Sequence, residues 1–245
     1  MIDKKDISIV IQGPLDDRTY EAIDCYKDFG EVIVANWNNE SLQVLEPCSG
    51  AYRMASSSYG QFDPNNGFMF GMYQAITTLA GSRQANLEYV LKTRSDELYP
   101  NLDAMIDNLN KYPDRSHTTD NGFWKYFPFC YSNHIFIDKK ENIVRGLEKG
   151  LNTKYNFATD EQFFGYYLMA GRGVEITNSN WKQIFRENVF ITRCVELPNH
   201  LHSGQSGAGR YFKRSSDPYP NGRLECDSKK HNKQELYQSI EEIIL

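Results

Sequence analysis

Three short apolar runs, each stopping abruptly in polar residues, constrain this chain more than any other feature. Ile7-Ser8-Ile9-Val10-Ile11 breaks at Gln12-Gly13-Pro14, and Glu31-Val32-Ile33-Val34-Ala35 breaks at Asn36-Trp37-Asn38-Asn39. Tyr89-Val90-Leu91 passes through Lys92-Thr93-Arg94-Ser95 into Asp96-Glu97, with Pro100 just beyond. Runs of this length and apolarity read as strands covered on both faces, the habit of parallel sheets. Asp16 and Asp17 offer caps to a helix reaching about Phe29, with Ala22, Ile23 and Tyr26 inward and Gly30 closing it. Gly50-Ala51-Tyr52-Arg53-Met54-Ala55 is a weaker third strand. After the turn cluster Asp63-Pro64-Asn65-Asn66-Gly67, Met69, Met72, Tyr73, Ile76 and Ala80 predict an amphipathic helix over residues 67–80. Strands alternating with helices in this way predict an α/β fold with a doubly wound, mainly parallel sheet. In such sheets ligands sit at the carboxyl ends of the strands.

The second half is less regular. Leu102, Met105, Ile106 and Leu109 mark a short helix, and residues 121–129 are densely aromatic. His134-Ile135-Phe136-Ile137 reads as a strand, followed by a helix over about 139–149. Thr159-Asp160-Glu161-Gln162 has the spacing of a capping box and starts a helix through Ala170. Gly173-Val174-Glu175-Ile176 reads as a further strand, and residues 234–244 as a closing helix. Between them lies a Gly/Ser-rich segment with His200, His202, Arg210, Lys213 and Arg214. With no repeat or long linker, residues 1–245 are expected to form a single domain.

Several classes are excluded or weakened. A net charge of −5 argues against a general nucleic-acid binder. Five scattered cysteines without a C-x-x-C pair fit neither a disulfide scaffold nor a zinc site, and suit a reducing, cytoplasmic setting. Residues 1–6 are not followed by a long apolar run, so no secretory leader is expected. No window reaches the roughly 18 apolar residues of a membrane span, so any membrane contact would be peripheral. No dinucleotide fingerprint or Walker loop follows a strand.

Read from the residues alone, Asp96 and Glu97 stand at the lip of the strand-end crevice, where adjacent carboxylates can hold a hard divalent cation. The plainer reading is an ion pair between Arg94 and Asp96. Asp160 and Glu161 fall in the first turn of a helix, where the dipole keeps carboxylates ionised. They serve there as caps or as general bases.

The run Ile7 to Pro14, the second strand ending at Trp37, and above all Tyr89-Val90-Leu91-Lys92-Thr93-Arg94-Ser95-Asp96 resemble the WavE-type lipopolysaccharide-synthesis proteins. His134-Ile135-Phe136-Ile137 with Glu141-Asn142, and Glu161 before Gln162, continue a likeness that spans roughly residues 6–170. The resemblance implies a single-domain GT-A-like fold, a nucleotide-diphospho-sugar transferase sandwich. Its nucleotide-binding half would cover about residues 1–100, and its acceptor half 101–245. It implies a glycosyltransferase moving a sugar from a UDP-, GDP- or similar donor to a glycan or lipid-linked saccharide, with inversion. Gln12, Gly13, Pro14, Asn36, Trp37, Arg94 and Ser95 would contact the nucleotide. Asp96 and Glu97, joined by His202 or His200, would hold Mn or Mg. Glu161, then Asp160, would act as base, and residues 203–214, with Arg210 or Lys213, would fold over the diphosphate. The sequence departs from the family pattern at Arg94, which stands where the first metal-holding Asp is expected. It departs again at Asn133, where the family has an Asp. Two rival readings remain: a nucleotidyltransferase, for which a Gly-rich basic loop after the first strand is missing, and a non-catalytic carbohydrate-binding module.

Overall fold

The structure, a computed structural model, describes residues 1–15, 17–37, 52–57, 70–120, 128–153, 157, 159–197, 201–203 and 212–214. The turn cluster at 63–67, His200, Arg210, the closing helix at 234–244 and most of the aromatic segment lie outside the described residues.

The first apolar run becomes β1 (Ile7–Gln12), and all six of its residues are buried. Its side chains alternate between two cores. Ile7, Ile9 and Ile11 face one, while Val10 faces the other, as the two-residue period of a strand requires. Helix α1 (Asp17–Cys25) leads to β2 (Glu31–Trp37), then β3 (Arg53–Ser57), α2 (Phe70–Gln84) and β4 (Tyr89–Arg94). The dipeptide β5 (Glu97–Leu98), α3 (Asp103–Lys111), β6 (Ser116–Thr119), β7 (Phe136–Lys139), α4 (Lys140–Leu151) and α5 (Asp160–Gly171) follow. Helix α6 (Trp181–Asn188), β8 (Val189–Thr192), β9 (Leu201–Ser203) and β10 (Phe212–Arg214) complete the described elements.

Seven strands form the central sheet in the order β3-β2-β1-β4-β7-β6-β8. The run β3-β2-β1-β4 is parallel, β7 is antiparallel to both β4 and β6, and β6 and β8 are parallel. The expected α/β class with a mainly parallel central sheet is therefore what the chain adopts, and the sheet runs unbroken across the boundary near residue 100. A small second sheet, β10-β9-β5, stands beyond the end of β4.

Helices α1 and α3 cover one face of the main sheet, and α2, α4, α5 and α6 cover the other. Thr159 caps α5 by accepting from Gln162 N, as its spacing predicts. Helices α4 and α5 pack backbone to backbone: a Cβ at Gly146 would collide with the Tyr167 carbonyl, and one at Gly171 with that of Asn142. Residues 173–176 form no strand, contrary to expectation; they run on as an irregular lead into α6, with only Ile176 buried. Among the described residues no helix is long and apolar enough to cross a membrane.

Candidate functional site

Strands β2 and β3 extend the sheet to one side of β1, and β4 returns to the other. Chain direction through the sheet thus reverses between β1 and β4, where open α/β sheets bind ligands. Gln12 and Arg94 are register partners at this seam, the last residues of their strands. The loops beyond them are tied together. Ser95 N donates to Gln12 O at 2.8 Å, and Ser95 Oγ donates to Pro14 O at 2.7 Å. Gly13 lies against Ser95 with φ +141°, a backbone shape that glycine tolerates, and a Cβ there would collide with Ser95 Oγ. Gly13, Pro14 and Ser95 therefore build the floor of the seam. Gln12 is 7% exposed, and its Oε1 is buried without a hydrogen-bond partner among the described residues. Asn36 is buried one residue before Trp37, which ends β2 in register with Ser57.

The polar chemistry lies on the β4 side. Arg94 grips Asp96 with both arms: Nε donates to Oδ1 and Nη2 to Oδ2, each at 2.8 Å. Burial works against the charge on Arg94, but Asp96 and Glu97 outweigh it and raise its pKa. Glu97 is 2% exposed. Its Oε2 accepts from Tyr99 Oη at 2.9 Å, and its Oε1 lies 2.5 Å from His134 Nδ1 and 3.7 Å from Arg94 Nε. Burial alone would raise the Glu97 pKa, yet His134, Arg94 and Tyr99 hold it well below the usual carboxylate range. A carboxylate only accepts, so His134 Nδ1 is the donor. The Nε2 atom makes no hydrogen bond among the described residues, and the imidazole is 13% exposed.

Lys92 is fully buried on β4, two residues before Arg94. Its Nζ donates to Asn133 O and lies 3.5 Å from Gln74 Oε1, at 6.0 and 5.9 Å from the Phe136 and Phe164 rings. Burial, reinforced by Arg94, lowers its pKa to about 7 against the opposing pull of Glu97, Asp96 and Asp160. Asn133 is 2% exposed, and its Oδ1 has no partner among the described residues.

The two acids expected to hold a metal, Asp96 and Glu97, are paired with protein groups. Both Asp96 oxygens accept from Arg94, and both Glu97 oxygens have protein partners. Among the described residues no group of three or more His, Cys, Asp or Glu is placed to bind an ion. Strand pairing does set the backbone of His202 opposite Glu97, and Lys213 opposite His202; the His202 side chain and His200 lie outside the described residues. Of the two expected bases, Asp160 begins α5 close enough to Lys92 to influence its charge, while Glu161 is 6% exposed. His134, Tyr99 and Lys92 are not among the site residues the sequence led one to expect, although His134 and Lys92 lie in the stretches that carry the family resemblance. Their signal is spatial: His134 and Glu97 are 37 positions apart.

No protein-family model matches the sequence, and no curated protein matches it. Among solved structures the chain is similar to 4-diphosphocytidyl-2C-methyl-D-erythritol synthase from Anaerococcus prevotii. Identity is 13% and the TM-score 0.47, over 78% of this chain and 90% of that one. It is also similar to the bifunctional IspDF from Campylobacter jejuni, with 12% identity and a TM-score of 0.46, over 77% of this chain and 49% of that one. The expectation of metal-assisted glycosyl transfer is corrected accordingly. Its expected metal-holding acids are engaged by Arg94, His134 and Tyr99, and neither similar structure is named as a glycosyltransferase.

Proposed function

We propose that the protein is a nucleotidyltransferase that seats a nucleoside triphosphate over the seam between β1 and β4. The observation that carries this reading is the pairing of Gln12 with Arg94 at the point where the sheet changes direction. It sets a buried acceptor without a partner beside a guanidinium. Gln12 Oε1 suits a ribose hydroxyl or a nucleobase amine, both of which donate. Arg94 still has Nη1 free of the Asp96 contact, and Lys92 stands behind it. Nucleotidyl transfer breaks the bond between the α-phosphorus and the pyrophosphate oxygen, and fixed cations at the departing oxygens favour that step. The missing basic loop after β1 is answered by cations carried on β4. A soluble transferase with a nucleotide-derived substrate is the resulting class.

Thermal melts with CTP, UTP, ATP and GTP, each with and without Mg²⁺, test this. At about 100 Kd a true ligand stabilises the fold by about 2.7 kcal/mol. Arg94→Gln should remove the shift. The reading fails if no triphosphate raises the melting temperature.

A further inference from the structure

The buried acid that opens β5, just past the end of β4, holds an imidazole. Glu97 Oε1 fixes His134 through Nδ1, Tyr99 Oη secures the other oxygen, and Nε2 has no hydrogen-bond partner among the described residues on a ring that keeps 13% exposure. Phe136, two residues beyond His134, pairs with Lys92, so the imidazole belongs to the same strand-end edge as Gln12 and Arg94. A carboxylate on one ring nitrogen fixes the tautomer and turns the other nitrogen into a proton acceptor.

We propose that His134 is a catalytic residue, with Glu97 as its positioning residue, and that the acceptor it serves is a hydroxyl group. This rests on the nucleotidyl-transfer reading and names the second substrate class of that site. The acceptor O–H gives its proton to His134 Nε2, and the freed oxygen attacks the α-phosphorus of the nucleoside triphosphate. The bond from that phosphorus to the bridging oxygen breaks, and pyrophosphate leaves with the electron pair. The imidazolium that forms is stabilised by Glu97. A phosphate acceptor is already anionic at neutral pH and needs no such group. The charged groups around the imidazole are Glu97 on β5, Arg94 at the end of β4 with Asp96 beside it, and Lys92 through the Asn133 carbonyl; Tyr99 bears on it through Glu97.

Diethyl pyrocarbonate acylates neutral, accessible imidazoles, so its reaction at His134, followed by peptide mass spectrometry across pH, probes the pair without any turnover. The wild type should react at His134, and any triphosphate that raises the melt should slow the reaction. Glu97→Gln, which removes the carboxylate that fixes the ring through Nδ1, should change the rate of acylation at His134 several-fold. Tyr99→Phe, which keeps the carboxylate but frees one of its oxygens, serves should Glu97→Gln fail to fold, and should change the rate in the same direction by less. Pyrophosphate release with glycerol, set against methyl phosphate, tests the acceptor class: His134→Gln should lose about 10²–10⁴-fold on glycerol while keeping the triphosphate melt shift. An inert His134, an acylation rate unchanged in both variants, or release driven by methyl phosphate alone overturns the proposal. Absence of any triphosphate melt shift sinks the nucleotide reading itself, and a shift with inert His134 sinks the dyad only.

Discussion

Two buried acids flank the β4–β7 pair, Asp138 on β7 toward one end and Glu97 on β5 just past the end of β4, and they are handled differently. Toward the far end Asp138, 1% exposed, gathers three donors on Oδ1: Lys139 N, Asn142 Nδ2 and Arg172 Nη1. Arg172 passes on to the Asp114 carbonyl, and nothing in this group leads toward the strand-end crevice. At the near end Glu97 binds an imidazole whose second nitrogen is left over. The first arrangement joins β7, α4 and the end of α5 through Asp138 Oδ1, with Asp138 Oδ2 and Arg172 Nε buried without a partner among the described residues. The second is open on one side. Equal burial of a carboxylate thus says little about its role; the far end of its partner says more.

The comparison is broken most severely at Asp138. Asp138→Ala leaves the Arg172 guanidinium buried and unable to shed its proton, and should cost about 3–5 kcal/mol in urea unfolding. A loss under 1 kcal/mol would show that the Asp138–Arg172 pair is not structural. Next comes Lys92. Unfolded lysine keeps its proton to about pH 10.4, while the folded state releases it near 7. Unfolding therefore takes up a proton between these values, and raising pH favours the folded state. Wild-type stability should climb from pH 7 towards 10 by at most about 1.4 kcal/mol per unit from this group, and Lys92→Met should flatten the slope. Glu97→Gln should cost only about 1–2 kcal/mol at pH 7, because an imidazole, unlike the Arg172 guanidinium, carries no obligatory charge to be left buried beside an uncharged partner. The gap between the Asp138 and Glu97 variants is the sharpest form of the contrast. Smallest of all is Arg83→Ala, which removes an ion pair to Glu148 whose side chains are 55% and 42% exposed; denaturation should move by under about 1 kcal/mol.

Legibility in the sequence followed hydropathy. β1, β2 and β4 are apolar because both their faces are covered, and α5 announces itself through Thr159. β6 (Ser116–Thr119) escaped notice because it is buried without being apolar: all four residues are 0% exposed, yet they read Ser-His-Thr-Thr. Most of their side-chain polar atoms are satisfied from within, Ser116 by Tyr131, His117 Nε2 by the Tyr112 carbonyl and Thr118 by the Ser132 and Ile135 carbonyls, while His117 Nδ1 has no partner among the described residues. Helix α6 buries only Trp181 and Phe185, too few to stand out as a periodic stripe. At the site, adjacent Asp96 and Glu97 look interchangeable on paper. The turn after β4 sends one to Arg94 and the other inward to Tyr99 and His134, a division decided by side-chain geometry that spacing does not carry. The plainer sequence reading of Arg94 with Asp96 as an ion pair was the one the fold adopts.

Ser95 holds Gln12 and Pro14 at once, so the tips of β1 and β4 are stitched and cannot part like jaws. Whatever lands on this seam meets an anvil. Loosening the two bonds made by Ser95 should free the tips of both strands together.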